Sequence, residues 1–475
     1  MKDLLAMKFG GTSMGSAERI KVAAAISAEQ RRKRPVLVVV SAMSKVTDLL
    51  LATLHAAELG ETGTVDSNIE KLRQDHVNAC RDLLPETHLQ YALEGIEGLV
   101  KEFQRVASGI LMLGERPPRS VDEAIAVGER LSALMMASYL DSTGVRSVDV
   151  NGGDVIVTDA VFGNASPLME ATRQKAQEKL VPLVNGGVIP IVTGFNGATA
   201  DGRATTLGRG GSDFSASILA SALDAAELWI WTDVDGIMSA DPRLVKDARV
   251  LAEVSYNEAA ELAYNGAKVL HPRTLAPLVE KQIPVYSKNS FAVEKPGTRI
   301  VAATNNSHGA KAVTSMANVA LVSIEPASSV VNGAQIMARA LDALARSNTE
   351  VLAFSSSSYR QSFCFLVNKD ELAGALASLE ANLALELTHQ YLRPIFVDPN
   401  VGLLAVVGDG MRGTPGLAGR IFTAISREKV NIIAIAQGSS ESTIAIVVSR
   451  AGLETAVRAI HAECELSQAH FPMHK

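Results

Sequence analysis

The last third of the chain repeats itself. Laid on its own sequence at an offset of 81 residues, Ala338-Arg339 falls on Gly419-Arg420, Leu344 on Ile425, and Val351-Leu352-Ala353-Phe354 on Ile432-Ile433-Ala434-Ile435. Cys364-Phe365-Leu366-Val367 then falls on Ala445-Ile446-Val447-Val448 with no gap. A gapless duplication constrains the fold strongly, because each copy must be the same supersecondary unit. Each copy reads as strand, helix, strand, strand, helix, strand, the small βαββαβ sandwich type. Neither copy holds a catalytic constellation, so the pair is expected to regulate or to oligomerise.

A polar stretch, Asn305-Asn306-Ser307-His308-Gly309, separates this region from what precedes it. At 475 residues the chain exceeds a single core, and roughly two to four domains are expected. Upstream, Pro35-Val36-Leu37-Val38-Val39-Val40 is an unbroken aliphatic run, which predicts a strand covered on both faces of a parallel sheet. Further strands are predicted at Leu4–Ala6, Ser147–Val150, Val155–Thr158, Val188–Thr193 and Ala226–Trp231. Helix is predicted over Ala17–Arg34 and through most of Asp48–Leu140.

The loops between these elements carry the chemistry. In Met7-Lys8-Phe9-Gly10-Gly11-Thr12-Ser13, two glycines permit a sharp turn beside a lysine. A helix starting near Ser16 would aim its positive end at the same spot, a combination that binds phosphate. The lysine precedes the glycines, so this is not a Walker A loop. Ser41-Ala42-Met43-Ser44-Lys45-Val46-Thr47 gathers hydroxyls at the carboxyl end of a strand, where open α/β sheets bind ligands; helix capping is the competing role for Ser41 and Thr47. Thr205–Asp213 holds three glycines with Arg209, Ser212 and Asp213 ahead of a helix. Arg209 can grip a carboxylate, and Asp213 can organise a metal or cationic groups; the alternative is a surface loop. Thr232-Asp233-Val234-Asp235-Gly236 with Asp241-Pro242-Arg243, and Gly266–Pro272 with Lys268, are consistent with a nucleotide side or with simple turns. Periodicity does not decide whether Glu129 is a surface or an interior carboxylate.

Composition excludes some classes. A net charge of −6 and 4% aromatics argue against a nucleic-acid surface. Cys80, Cys364 and Cys464 show no metal-ligand spacing and are expected to be reduced thiols. No apolar run is long enough to span a bilayer, and Met1-Lys2-Asp3 does not open a signal peptide. The expectation is a cytoplasmic globular protein.

Lys8–Ser13, Ser41-Ala42-Met43-Ser44 with Thr47, Leu207–Asp213, Trp231–Gly236 and Gly266–Pro272 follow an order and spacing that resembles the aspartate kinase family of the amino-acid kinase fold. The duplication, with Gly408–Gly416 and Ala434–Glu441, resembles the paired ACT domains of that family, so the resemblance covers essentially the entire chain. It implies an α/β fold, a three-layer αβα sandwich with a largely parallel sheet, over residues 1–304. The aspartate side would span about 1–195 and the nucleotide side about 196–304, with tandem βαββαβ ACT domains at 312–392 and 400–475.

The resemblance also implies an activity, transfer of the ATP γ-phosphate to the side-chain carboxylate of L-aspartate. The product, 4-phospho-L-aspartate, leads toward lysine, threonine and methionine. Lys8 and Asp213 would be catalytic, with Asp213 orienting lysines and Lys8 meeting the transferring phosphate. Ser41, Thr47, Glu129, Arg209 and Ser212 would bind aspartate, Glu129 at its ammonium and Arg209 at its α-carboxylate. Gly10 and Gly11 would donate backbone N–H groups to the nucleotide, and Thr12, Thr232, Asp233, Arg243, Lys268 and Val269 would line its site. Mg²⁺ would arrive with ATP rather than in a metal centre of the protein. The ACT pair implies a homodimer or higher homo-oligomer and an amino-acid effector, with Gln437 as a contact.

Three departures bear on these roles. Met238 stands where many members have a tyrosine, Ser356 stands at the position equivalent to Gln437, and Leu352 lies where lysine-inhibited members carry an aspartate. Threonine is therefore favoured over lysine as effector. Three readings compete: a kinase for another carboxylate such as glutamate or acetylglutamate, a catalytically silent amino-acid sensor, and a fusion to homoserine dehydrogenase. The fusion is not expected, because nothing after Val448 resembles a dinucleotide fingerprint.

Overall fold

The computed structural model describes residues 3–267, 270–304, 309–327, 332–358 and 361–468. They form two compact units. The first comprises 1–237, 252–256 and 270–303; the second comprises 238–251, 257–269 and 304–475. Two segments that the sequence reading leaves in the first domain, 238–251 and the described part of 257–269, thus pack with the C-terminal repeats.

The first unit contains β1 (Leu5–Phe9), β2 (Val36–Val40), β3 (Ser147–Val150), β4 (Val157–Thr158), β5 (Ile189–Thr193), β6 (Asn196–Thr199), β7 (Ala204–Thr206), β8 (Glu227–Thr232), β9 (Glu253–Ser255), β10 (Val285–Asn289) and β11 (Thr298–Val301). Eight of these make one sheet, in the order β3-β5-β2-β1-β8-β10-β11-β9, with every pair parallel except β10–β11. The largely parallel sheet read from the sequence is therefore present. Met7, Phe9, Val36, Val38 and Val40 join a core with helices Ala17–Arg31 and Val127–Ser142, while helices Met169–Asn185 and Gly211–Ala222 pack on β5 and β1. Helices on both faces explain why β2 can be apolar at every position.

β1 runs beyond the predicted Leu4–Ala6 as far as Phe9, so Lys8 stands inside the strand. In register, Phe9 lies beside Val40 on one side and Trp231 on the other. The loops that leave β1, β2 and β8 therefore emerge together at the carboxyl edge of the sheet. Ser16 caps the helix after the first loop, its Oγ accepting from the Arg19 N–H at 3.4 Å.

The second unit has one antiparallel sheet of β12 (Ala312–Ile324), β13 (Ala353–Ser356), β14 (Phe363–Asn368), β15 (Phe396–Val407), β16 (Ile432–Gln437) and β17 (Thr443–Ser449), in the order β13-β14-β12-β15-β17-β16. The two long strands serve both repeats. Ala312–Met316 pairs with Leu403–Val407, and Leu321–Ser323 pairs with Phe396–Asp398. The closing strand of the second repeat thus comes from the segment ahead of the first. Among the described residues, no strand follows helix Leu453–Glu463. Also among them, the three cysteines are free and no helix is long and apolar enough to cross a membrane.

Candidate active site

A cleft of 660 Å³ opens in the first unit at the carboxyl edge of the sheet. Lys8, Gly11, Ser41, Thr47, Glu129, Arg209, Ser212 and Asp213 all line it. Every residue predicted to be catalytic or to bind aspartate thus meets in one cavity, although they are spread over more than two hundred positions of sequence.

Lys8 leaves β1 nearly buried, at 8% exposure, and its Nζ lies 2.5 Å from Asp213 Oδ1. Asp213 sits in the first turn of helix Gly211–Ala222, where the helix dipole also favours its negative charge. Gly210 caps that helix with φ 72°, and a Cβ there would stand 2.8 Å from the His271 Cβ; glycine alone satisfies both conditions.

The Gly10 N–H donates to the Trp231 carbonyl at 3.1 Å. That N–H is committed to the sheet, and a Cβ at Gly10 would lie 3.4 Å from Lys8 Nζ, an ordinary contact distance. Gly11 opens the turn Gly11–Met14, whose first N–H groups lack intrahelical partners. Ser44 Oγ donates to the Gly11 carbonyl at 2.9 Å, joining the first two loops.

Glu129 is 3% exposed in helix Val127–Ser142, which settles the question its periodicity left open. Burial pushes its carboxyl up to about 8, opposed by the backbone N–H groups of Ala42 and of Glu129 itself and by the charge on Lys8. Its Oε2 is buried with no hydrogen-bond partner among the described residues, a costly condition that an incoming cation would relieve. Arg209 is exposed on the opposite loop.

Three lining residues, Asp122, Lys45 and Phe195, were given no role in the sequence reading. Asp122 is fully buried; its Oδ2 accepts from Gly163 N–H at 2.8 Å and Thr206 N–H at 2.9 Å, and its Oδ1 accepts from the Thr206 hydroxyl at 2.7 Å. Burial raises its carboxyl despite these donors. Lys45 and Phe195 are non-glycine residues in the left-handed region, with φ 67° and 66°, and both face the cleft. Strained backbone of this kind concentrates at functional sites. No local pattern announces any of the three.

On the nucleotide side expected from sequence, Thr232 ends β8 and its Oγ1 donates to Asp233 Oδ1 at 3.2 Å. Asp235 accepts from Asn289 Nδ2 and Lys295 Nζ, each at 2.6 Å, and both partners lower its carboxyl. Arg243 belongs to the second unit, where it is exposed and paired with Asp241 at 2.6 Å. Lys268 and Val269 lie outside the described residues. Among the described residues, no group of three or more His, Cys, Asp or Glu could hold a metal. A Mg²⁺ ion here would need phosphate oxygens and water in its shell, as this cation commonly has. In the second unit, Gln437 lines a separate cavity of 270 Å³ with Met411, Thr414, Leu417, Glu441 and Ile444.

Comparison with known proteins agrees with this architecture. The profile described as "Amino acid kinase family" matches residues 3–289, and an ACT domain profile matches 404–464. A bifunctional aspartokinase/homoserine dehydrogenase 1 of Arabidopsis thaliana is 35% identical over 97% of this chain and 51% of its own length. The chain spans about half the length of this and similar bifunctional relatives. An aspartokinase of Schizosaccharomyces pombe is 30% identical over 97% of this chain and 93% of its own. Among solved structures, E. coli aspartokinase III with aspartate and ADP matches at TM-score 0.82 and 30% identity, covering 97% of this chain and 99% of that one. The same enzyme with lysine and aspartate matches at TM-score 0.80 and 31% identity, with the same coverage.

Proposed function

The chain belongs to the aspartokinase group of the amino acid kinase family, and from that premise we propose that it transfers the γ-phosphoryl group of ATP to the side-chain carboxylate of L-aspartate. The observation that carries this reading is the unpartnered, buried Glu129 oxygen in the same cleft as Arg209 and the Lys8–Asp213 pair. A substrate with an ammonium, an α-carboxylate and a second carboxylate meets all three.

Arg209 holds the α-carboxylate, Glu129 takes the ammonium, and Ser41, Thr47 and Ser212 supply hydroxyls around them. The reacting carboxylate is ionised at neutral pH, so no general base is required. The protein's task is to hold it in line with the γ-phosphorus and to offset developing charge. Lys8 supplies that charge at the transferring phosphate, and Asp213 fixes the position of its ammonium. Gly11, Thr12, Thr232 and Asp233 face the nucleotide. Arg243, Lys268 and Val269 are assigned to the nucleotide by the family resemblance alone. Mg²⁺ arriving with ATP would supply charge neutralisation at the phosphates.

For regulation, Gln437 and Glu441 in the second repeat's cavity suit a small polar amino acid. Leu352 offers no counter-charge to a lysine side chain, and burying an unpaired ammonium is costly. Threonine is the effector this favours, and Ser356 is too short to repeat the Gln437 contact in the first repeat. Exposed Ile433 and Ile435 on the edge strand β16, each at 40%, support assembly through the ACT sheets.

The test is ADP release on adding L-aspartate, with the acyl phosphate trapped by hydroxylamine as the hydroxamate. Release that ignores aspartate, or that prefers glutamate or acetylglutamate, rejects the assignment.

A further inference from the structure

Ser290, 2% exposed just past the end of β10, lies outside every motif discussed above, yet three segments of the first unit meet on its side chain. Its Oγ lies 2.8 Å from Ser13 Oγ at the glycine turn. It lies 2.9 Å from Arg19 Nη2, a donor from the helix that follows that turn. It lies 3.1 Å from the Thr232 carbonyl at the end of β8.

A hydroxyl has one proton and two lone pairs. The carbonyl and the guanidinium fix two of these three: Ser290 donates to Thr232 and accepts from Arg19. Its remaining lone pair faces the Ser13 hydroxyl at 2.8 Å, which is much nearer than the Trp231 carbonyl, the other acceptor within reach of Ser13 at 3.4 Å, so the shorter contact has Ser13 donating to Ser290.

The backbone around Ser290 reinforces the arrangement. Its N–H also donates to the Thr232 carbonyl at 2.9 Å, its carbonyl accepts from Arg19 Nη2 at 2.6 Å, and Arg19 lies over the Phe291 ring at 3.6 Å. The neighbouring Asn289 accepts from the Phe291 N–H at 2.8 Å while its Nδ2 holds Asp235. The segment Asn289–Phe291 therefore touches both the glycine turn and the Thr232–Gly236 loop.

We infer that Ser290 is a positioning residue for the nucleotide: it locks the glycine turn and the end of β8 in one register, so that the glycine turn and the Thr232–Gly236 loop approach the ligand as a unit. The inference rests on the phosphotransfer reading above, and it makes no demand on the aspartate pocket. The buried hydroxyl pair is a small contact with a large lever, because a shift between the two loops misplaces the phosphates relative to Lys8.

The experiment uses the full chain, with MgADP affinity from calorimetry and steady-state rates with each substrate varied, in wild type, Ser290→Ala, Ser13→Ala and the double variant. Each single variant is expected to bind MgADP about three- to tenfold more weakly and to raise the ATP KM alike. The aspartate KM should stay within about twofold, and the double variant should be no weaker than the worse single one, since both remove the same bond. Unchanged MgADP affinity, two KM values rising together, or losses that multiply in the double variant would overturn the inference. If Ser290→Ala does not fold, Ser13→Ala decides: weaker MgADP binding with the aspartate KM unmoved upholds the inference, and any other result overturns it. Wild type that binds MgADP without aspartate-dependent turnover rejects the phosphotransfer reading alone, and the affinities still judge the brace.

Discussion

Asp122 grips Thr206 twice, its Oδ2 accepting the backbone N–H at 2.9 Å and its Oδ1 the hydroxyl at 2.7 Å. Thr206 ends β7 and leads directly into the loop that carries Arg209, so a helix carboxylate sets where that loop leaves the small sheet β4-β6-β7.

Asp122→Ala leaves the buried Thr206 N–H without its acceptor and is expected to cost about 1–3 kcal/mol of stability. Thr206→Val removes only the hydroxyl partner and should cost less. Urea unfolding of both variants checks this, and equal losses would show that the backbone bond contributes nothing.

Lys8→Ala should leave folding nearly intact and reduce turnover by about a hundred- to a thousandfold, the usual worth of a preorganised contact made to developing charge. The check is kcat at saturating ATP and aspartate. Near-normal turnover in folded protein would remove Lys8 from the chemistry.

Arg209→Ala should raise the aspartate KM by about ten- to a hundredfold, since a charge-assisted grip on a carboxylate is lost. The ATP KM should be little changed. Were the ATP KM alone to rise, Arg209 would belong to the nucleotide instead.

Glu129 gives a pH signature with a definite sign. Its folded-state carboxyl is raised by burial to about 8 from the ordinary 4.5, so between those values the folded chain holds a proton that the unfolded chain has released. Stability should therefore fall as pH rises through that window. Aspartate binding needs the ionised form, so the aspartate KM should fall with rising pH, by at most about tenfold per unit, and level off above about 8. Melting curves and KM profiles of wild type and Glu129→Gln measure both trends. A wild-type profile as flat as the variant's would mean that Glu129 does not meet the ammonium.

Gln437→Ala should weaken threonine inhibition by about tenfold while leaving kcat unchanged, on the scale of one lost hydrogen bond in a binding site. Dose–response curves with threonine, lysine and methionine provide the measurement. Inhibition by lysine alone would redirect the effector assignment.

Sequence disclosed what depends on short range. The aliphatic run at Val36–Val40 and the glycines at Gly10, Gly11 and Gly210 each announce a local backbone state, and those states place the loops on one sheet edge. What stayed hidden depends on contacts between distant segments. Glu129 looked like any helical acid, because its burial comes from the packing of helix Val127–Ser142 in the core rather than from its neighbours in sequence. Asp122 binds a residue 84 positions away, and Ser290 joins Ser13 across 277. The partner of the Gly10 N–H was hidden for a similar reason, since it is the Trp231 carbonyl of the neighbouring strand β8.

The exchange of halves between β12 and β15 means that the unit of sequence duplication and the unit of folding do not coincide. A fragment beginning at residue 400 would contain the whole second copy as sequence, but it would present the side of β15 that Ala312–Met316 now covers as a bare row of backbone donors and acceptors. A fragment ending at residue 392 would strip the first copy of Phe396–Asp398 in the same way. The two copies are clasped rather than strung, and neither can be released, swapped or duplicated again without opening the other.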